Sequence, residues 1–206
     1  SQAAETLQVI RTLMERAVLY RRALAPAMWF AGAGAAGGML SAWSLRIQST
    51  GGFVGWWGMV GGLTVLFSMI WMRREALRDR EPFWTLPARR VAFSMLPALV
   101  AGAGLGVVTW LVHPGLIQWL PGLWMILYGS ALHAGGFFLA RGIRWLGWLF
   151  IVLGLAAVAQ AGTGGLSRLY VADEVARCHG VMGAVFGGVH LVYAAYLSLT
   201  ESRSVL

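Results

Sequence analysis

Histidine and cysteine are the side chains here best suited to ligation or proton transfer, and the chain holds four of the first and one of the second. Two of the histidines fall inside long apolar runs: His133 in LWMILYGSALHAGGFF and His190 in VMGAVFGGVHLVYAAYL. An unpaired imidazole in hydrocarbon is costly, so each must either hold a ligand or hydrogen-bond a neighbouring helix. Acting together, His133 and His190 could bind haem b through their ring nitrogens. Alternatively, His190 with the adjacent Gly187 and Gly188 could leave room for a flat quinone head. His179, Gly183, Phe186 and His190 recur at steps of four, three and four, which places them on one face of a regular helix. His179 also adjoins Cys178 and lies near Asp173 and Glu174, a set of metal-ligand types. Consecutive helix residues point in different directions, however, and no metal site is assigned. His113, before Pro114, belongs to a tight turn. Gln118, Gln160, Tyr128, Ser130 and Tyr193 are the other polar residues set among apolar ones.

The remaining chemistry is limited by what these runs leave out. Glu5, Glu15, Glu75, Asp79, Glu81, Asp173, Glu174 and Glu201 all fall in termini or connections. Proton-coupled transport and cation conduction usually rely on buried carboxylates, so a small-solute transporter is the third-ranked reading. Lysine is absent, which excludes a retinal Schiff base. Glycine-rich phosphate loops, paired catalytic carboxylates, zinc-type spacings and a serine elbow are not found, and catalysis is not expected. A single cysteine excludes an intrachain disulfide.

The elements that must position the histidines follow from composition. The 206 residues are 58% apolar and 12% charged, with mean hydropathy +0.68, far from the balance of soluble domains. About 20 apolar residues are needed to cross a bilayer as a helix. Six stretches meet that length, at about 24–45, 51–72, 91–112, 115–139, 145–162 and 177–199. Unpaired backbone groups are not tolerated in lipid, so all six are expected to be helical. The sequence therefore predicts an all-α membrane protein, a bundle of about six transmembrane helices forming one domain over 24–199. Residues 1–23 precede it as an amphipathic interfacial helix, in which Ile10, Leu13, Met14, Ala17 and Val18 share a stripe. Residues 200–206 form a cytoplasmic tail. Glycine pairs at spacing four (34/38, 51/55, 58/62, 102/106 and 183/187) argue for close helix packing. Most of the eleven tryptophans fall near predicted span ends, as interfacial belts do.

Orientation comes from the arginines. With a cytoplasmic N-terminus, the inner segments hold Arg11, Arg16, Arg21, Arg22, Arg73, Arg74, Arg78, Arg80, Arg89, Arg90, Arg141, Arg144 and Arg203. The outer ones hold Arg46, Arg168 and Arg177. This asymmetry places both termini in the cytoplasm of a bacterial inner membrane. The formal charge of +8 is read as a topology signal facing anionic lipid, with no direct nucleic-acid binding expected. The longest charged insert, 73–90, contains Pro82 and Pro87, which limit helix within it.

The segments ETLQVIRTLMER, LPARRVAFSMLP, PGLWMILYGSALHAGGFFLARGIRWLGWLFIVLG and FGGVHLVYA cover most of the chain and resemble a group of uncharacterised bacterial multi-span inner-membrane proteins. Genes of that group often lie beside those of winged-helix regulators. The resemblance implies the membrane bundle and assigns no chemistry. His190 matches the group's FGGVH pattern, whereas the position of His133 takes other residues as well.

These readings converge on a non-catalytic membrane protein acting as a partner-binding, regulatory or accessory subunit of a membrane complex. Its contacts would be membrane lipid and proteins docking through 5–22 and 73–90. The alternative is an electron-transfer subunit binding haem b or quinone at His190. The topology has a direct test. In a Cys178→Ser background, Ser49→Cys and Ser167→Cys should react with an impermeant thiol reagent applied outside intact cells, and Arg78→Cys should not. Labelling at position 78 overturns the orientation.

Overall fold

Apolar runs of this length satisfy their backbone groups within single helices, and the computed structural model is all-helical, with no strand among the described residues. It describes residues 24–78, 80, 82–163 and 173–201. The interfacial helix expected before residue 24 and nearly all of the C-terminal tail lie outside them. Helix α1 occupies 24–44, α2 Thr50–Arg78, α3 Leu86–Leu111, α4 Leu120–Gly135 and α5 Arg141–Thr163. A 3₁₀ segment, Pro114–Trp119, leads into α4. The last helix, α6, comprises an α segment Glu174–Gly180, a π turn Val181–Gly187 and an α segment Gly188–Glu201. Among the described residues, four helices (α2, α3, α5 and α6) are long and apolar enough to cross a membrane.

The helix ends depart from the hydropathy boundaries for local reasons. Both α2 and α3 run into the charged insert: α2 continues through Arg73 and Arg74 to Arg78. Pro87 does not bar helix here, because it falls in the first turn of α3, where its missing N–H is no loss. Thr85 caps that turn by accepting from the Ala88 amide at 3.4 Å. At the far end of α1, Arg46 adopts a left-handed φ of 52°. The Arg46 amide then donates to the Trp43 carbonyl and the Ile47 amide to the Ala42 carbonyl, a helix-terminating Schellman turn.

Glycine sets the closest packing. A Cβ built on Gly122 would lie 2.8 Å from the Gly154 carbonyl oxygen, and one on Gly154 would lie 2.7 Å from that of Gly122. Gly129 and Gly147 face each other in the same reciprocal way. Glycines seven apart on α4 thus meet glycines seven apart on antiparallel α5, bringing backbone against backbone. Of the spacing-four pairs, Gly183 and Gly187 do pack tightly, against Met39 and Ala35 of α1. Gly55, Gly58 and Gly62 instead face open space.

Contacts between neighbouring helices define the two ends of the bundle. Trp29 reaches Ser198, Phe30 packs on Trp71, and Gly135 abuts Met95 at one end. At the other, Trp43 reaches Ala176, Gly51 abuts Trp110, and Cys178 reaches Ile117. Arg73, Arg74, Arg78, Arg80, Arg89, Arg90, Arg141 and Arg144 belong to the first end; among the described residues only Arg46 and Arg177 belong to the second.

The α4–α5 contact yields a stability prediction. Gly154→Ala should force the backbones apart and lower thermal stability in mild detergent by roughly 1–3 kcal/mol. Gly58→Ala, directed into open space, should leave it nearly unchanged. Equal melting temperatures for wild type and Gly154→Ala would show that the close approach does not matter.

Candidate functional site

Two fully buried histidines on α6 form the polar centre of the bundle, one on each side of the π turn. His179 lies against α2 and the α1–α2 turn. The Trp57 indole donates to its Nδ1 at 2.9 Å, and its Nε2 lies 3.1 Å from the Ile47 carbonyl oxygen. An indole can only donate and a carbonyl can only accept, so His179 is the neutral tautomer carrying its proton on Nε2. Phe53 packs beside it at 4.9 Å between ring centroids.

His190 has the opposite tautomer. Its Nδ1 lies 2.8 Å from the Phe186 carbonyl oxygen and must carry the proton. Its Nε2 therefore accepts from the Tyr128 hydroxyl at 2.9 Å. The rings of Phe186, Phe150 and Tyr128 surround it at 4.6, 5.0 and 5.4 Å.

The structure separates residues that the sequence pattern grouped. His179 and His190 are eleven positions apart, about three turns of a regular helix, and would share a face. The intervening π turn widens the helix, and the face is lost. His179 turns to α2, Gly183 to Met39 of α1, and His190 to α4 and α5. Cys178 points elsewhere again, its thiol donating to the Ile117 carbonyl at 3.4 Å. Asp173 caps α6 by accepting from the Val175 amide at 3.0 Å.

His133 occupies a different environment, edge-on to Phe137 at 5.2 Å and Trp148 at 5.4 Å. Its Nδ1 is buried with no hydrogen-bond partner among the described residues. It shares no ring neighbour with His190. Both ring nitrogens of His190 are engaged within the bundle. Gly187 packs against Ala35 and the α1 backbone, whereas Gly188 faces open space.

The tryptophans also differ from a simple interfacial belt. Trp57 is buried, and Trp43, Trp56 and Trp124 donate to the carbonyls of Ala176, Gly38 and Gly102 on other helices. Trp57 was missed as the partner of a histidine. Its signal in the sequence was only that a donor-only side chain deep in an apolar run needs an acceptor. Gln118 and Gln160, which the sequence left as separate polar residues, come together in the wall of a cavity of about 250 Å³.

With this geometry in place, comparison with family models, curated proteins and solved structures returns no significant match.

The Tyr128–His190 contact predicts an order of variant stabilities. His190→Gln can still accept from Tyr128 and donate to a carbonyl, so it should be milder than His190→Leu, which strands the hydroxyl at roughly 1–3 kcal/mol. Tyr128→Phe combined with His190→Leu should be less harmful than the sum of the two. Thermal unfolding in detergent measures both effects, and strict additivity would refute the hydrogen bond.

Proposed function

We propose that the protein is a six-span bacterial inner-membrane protein with both termini in the cytoplasm, acting as a partner-binding or regulatory accessory subunit. The observation that carries this reading is the segregation of arginine: eight at one end of the described bundle and two at the other. The positive-inside rule makes the richer end cytoplasmic. Helices α2 and α3 carry five of these arginines directly on their ends, at Arg73, Arg74, Arg78, Arg89 and Arg90. Of these, Arg78 lies 3.6 Å from Glu75. Helix ends hold such a charged surface in fixed positions and suit it to an acidic protein surface. Because both buried histidines make structural hydrogen bonds on each ring nitrogen, the geometry favours interaction over the electron-transfer alternative.

Purification from mild detergent tests the proposal. A cytoplasmic or membrane protein should co-elute with the wild type in fixed ratio and be lost from the Arg89→Glu/Arg90→Glu variant, with thermal stability preserved. A wild-type protein that elutes alone, or a partner retained undiminished by the double variant, would sink the reading.

A further inference from the structure

A groove of about 450 Å³ opens at the arginine-rich end of the bundle, between the first turns of α1, the last turns of α2 and the end of α6. Ala25, Pro26 and Trp29 form one wall, Trp71, Glu75 and Arg78 the second, and Ser198 the third. The Trp29 indole is anchored to Ser198 at 3.2 Å, and Trp71 meets Phe30 edge-on at 6.0 Å. Both tryptophans nevertheless stay open, at 44% and 39% exposure. Two anchored, half-bare indoles lining one space make an apolar seat. Glu75 brings a carboxylate to its rim.

The chain itself supplies an occupant of matching chemistry. Residues 5–22 carry the apolar stripe Ile10, Leu13, Met14, Ala17 and Val18 and end in Arg21 and Arg22. They lie outside the described residues, but the place where they join α1 does not: Ala25 and Pro26, just after Arg22, line the groove. Pro26 has no amide proton, and in a continuous helix its ring would collide with the Arg22 carbonyl. An amphipathic helix ending at Arg22 is therefore kinked or broken away from the α1 axis. Over residues 5–22 such a helix is about 27 Å long, enough to cross the ends of neighbouring helices packed roughly 8–10 Å apart.

Tether and charge favour this occupant over a lipid. A segment joined at the groove's own wall has a high effective concentration there. An anionic headgroup would meet Glu75, whereas Arg21 and Arg22 are attracted to it. Glu75 already lies 3.6 Å from Arg78, and a carboxylate accepts from more than one cation at once.

We propose that the N-terminal segment folds back onto this groove, with Val18 seated over Trp29 and Trp71 and the Arg21–Arg22 pair at Glu75. Trypsin digestion of the full chain in mild detergent, followed by mass spectrometry, provides the test, because without lysine every cut falls after an arginine. Cleavage after Arg16, Arg21 and Arg22 should be roughly tenfold slower in the wild type than in Val18→Glu, which forces a carboxylate onto the indoles. Ser198→Trp, which fills the groove from α6, should release the segment to the same degree. Glu75→Arg changes only the rim and should speed cleavage several-fold, so the proposal remains testable if Ser198→Trp does not fold. Wild-type cleavage as fast as that of Val18→Glu overturns it. Protection that Val18→Glu removes but neither groove variant alters, the mark of a segment covered by detergent or lipid, overturns it as well. Protection that falls on dilution, the mark of a second copy, does the same.

Discussion

Hydrocarbon offers no hydrogen-bond partner, so polar groups that these helices carry inward are costly unless they find one within the protein, as most do here, His133 Nδ1 excepted. That constraint explains the internal design better than apolar packing does, since lipid tails are as apolar as leucine. Trp43, Trp56 and Trp124 each direct an indole N–H onto the carbonyl of another helix. Trp57 and Tyr128 direct theirs onto histidine. Every such bond fixes the rotation and depth of one helix against its neighbour, which a smooth apolar interface cannot do. Between α4 and α5, glycines allow backbone contact over about two turns. Side-chain hydroxyls follow the same economy: Ser41, Thr64, Ser130 and Thr200 turn back to carbonyls of their own helices.

Much of the architecture was legible because it depends on one-dimensional properties. Long apolar runs mark helices, and arginine clusters mark one face of the array. Boundaries were less legible where they depend on a cap or on a residue's place within the first turn. Pro87 reads as a limit on helix and lies in the first turn of one; residues 73–78 belong to the charged insert and extend α2. The glycine pattern held in part, with 34/38, 102/106 and 183/187 packed against other helices, and its exceptions have a geometrical reason. Spacing four marks a possible groove on one helix, but only the partner decides whether it is filled: Gly58 and Gly62 face nothing, whereas glycines seven apart on α4 and α5 coincide. That register belongs to the pair and is invisible in either segment.

The candidate site was legible in its residues and not in their relations. His190 stood out because an imidazole in an apolar run needs an explanation. Its explanation, Tyr128 and the Phe186 carbonyl, depends on α4 and α6 lying side by side. The shared face of His179 and His190 was lost to a π turn, a single-turn irregularity that a regular period cannot anticipate. Gln118 and Gln160, forty-two positions apart, come together only in the lining of one cavity.

The first helix closes on the last: Trp43 and the Ile47 carbonyl bond to α6 near its start, Gly32 admits Leu191, and Trp29 reaches Ser198. Synthesis proceeds from the N-terminus, so α1 leaves the ribosome long before the helix that receives these bonds exists. Until α6 emerges, the Trp43 indole and the Ile47 carbonyl must be held by water or, for a chain inserted in a membrane, by the insertion machinery. The bundle therefore cannot mature span by span. It is completed only when the final helix slides in beside the first, and a chain cut short of α6 would present an unfinished seam to quality-control proteases.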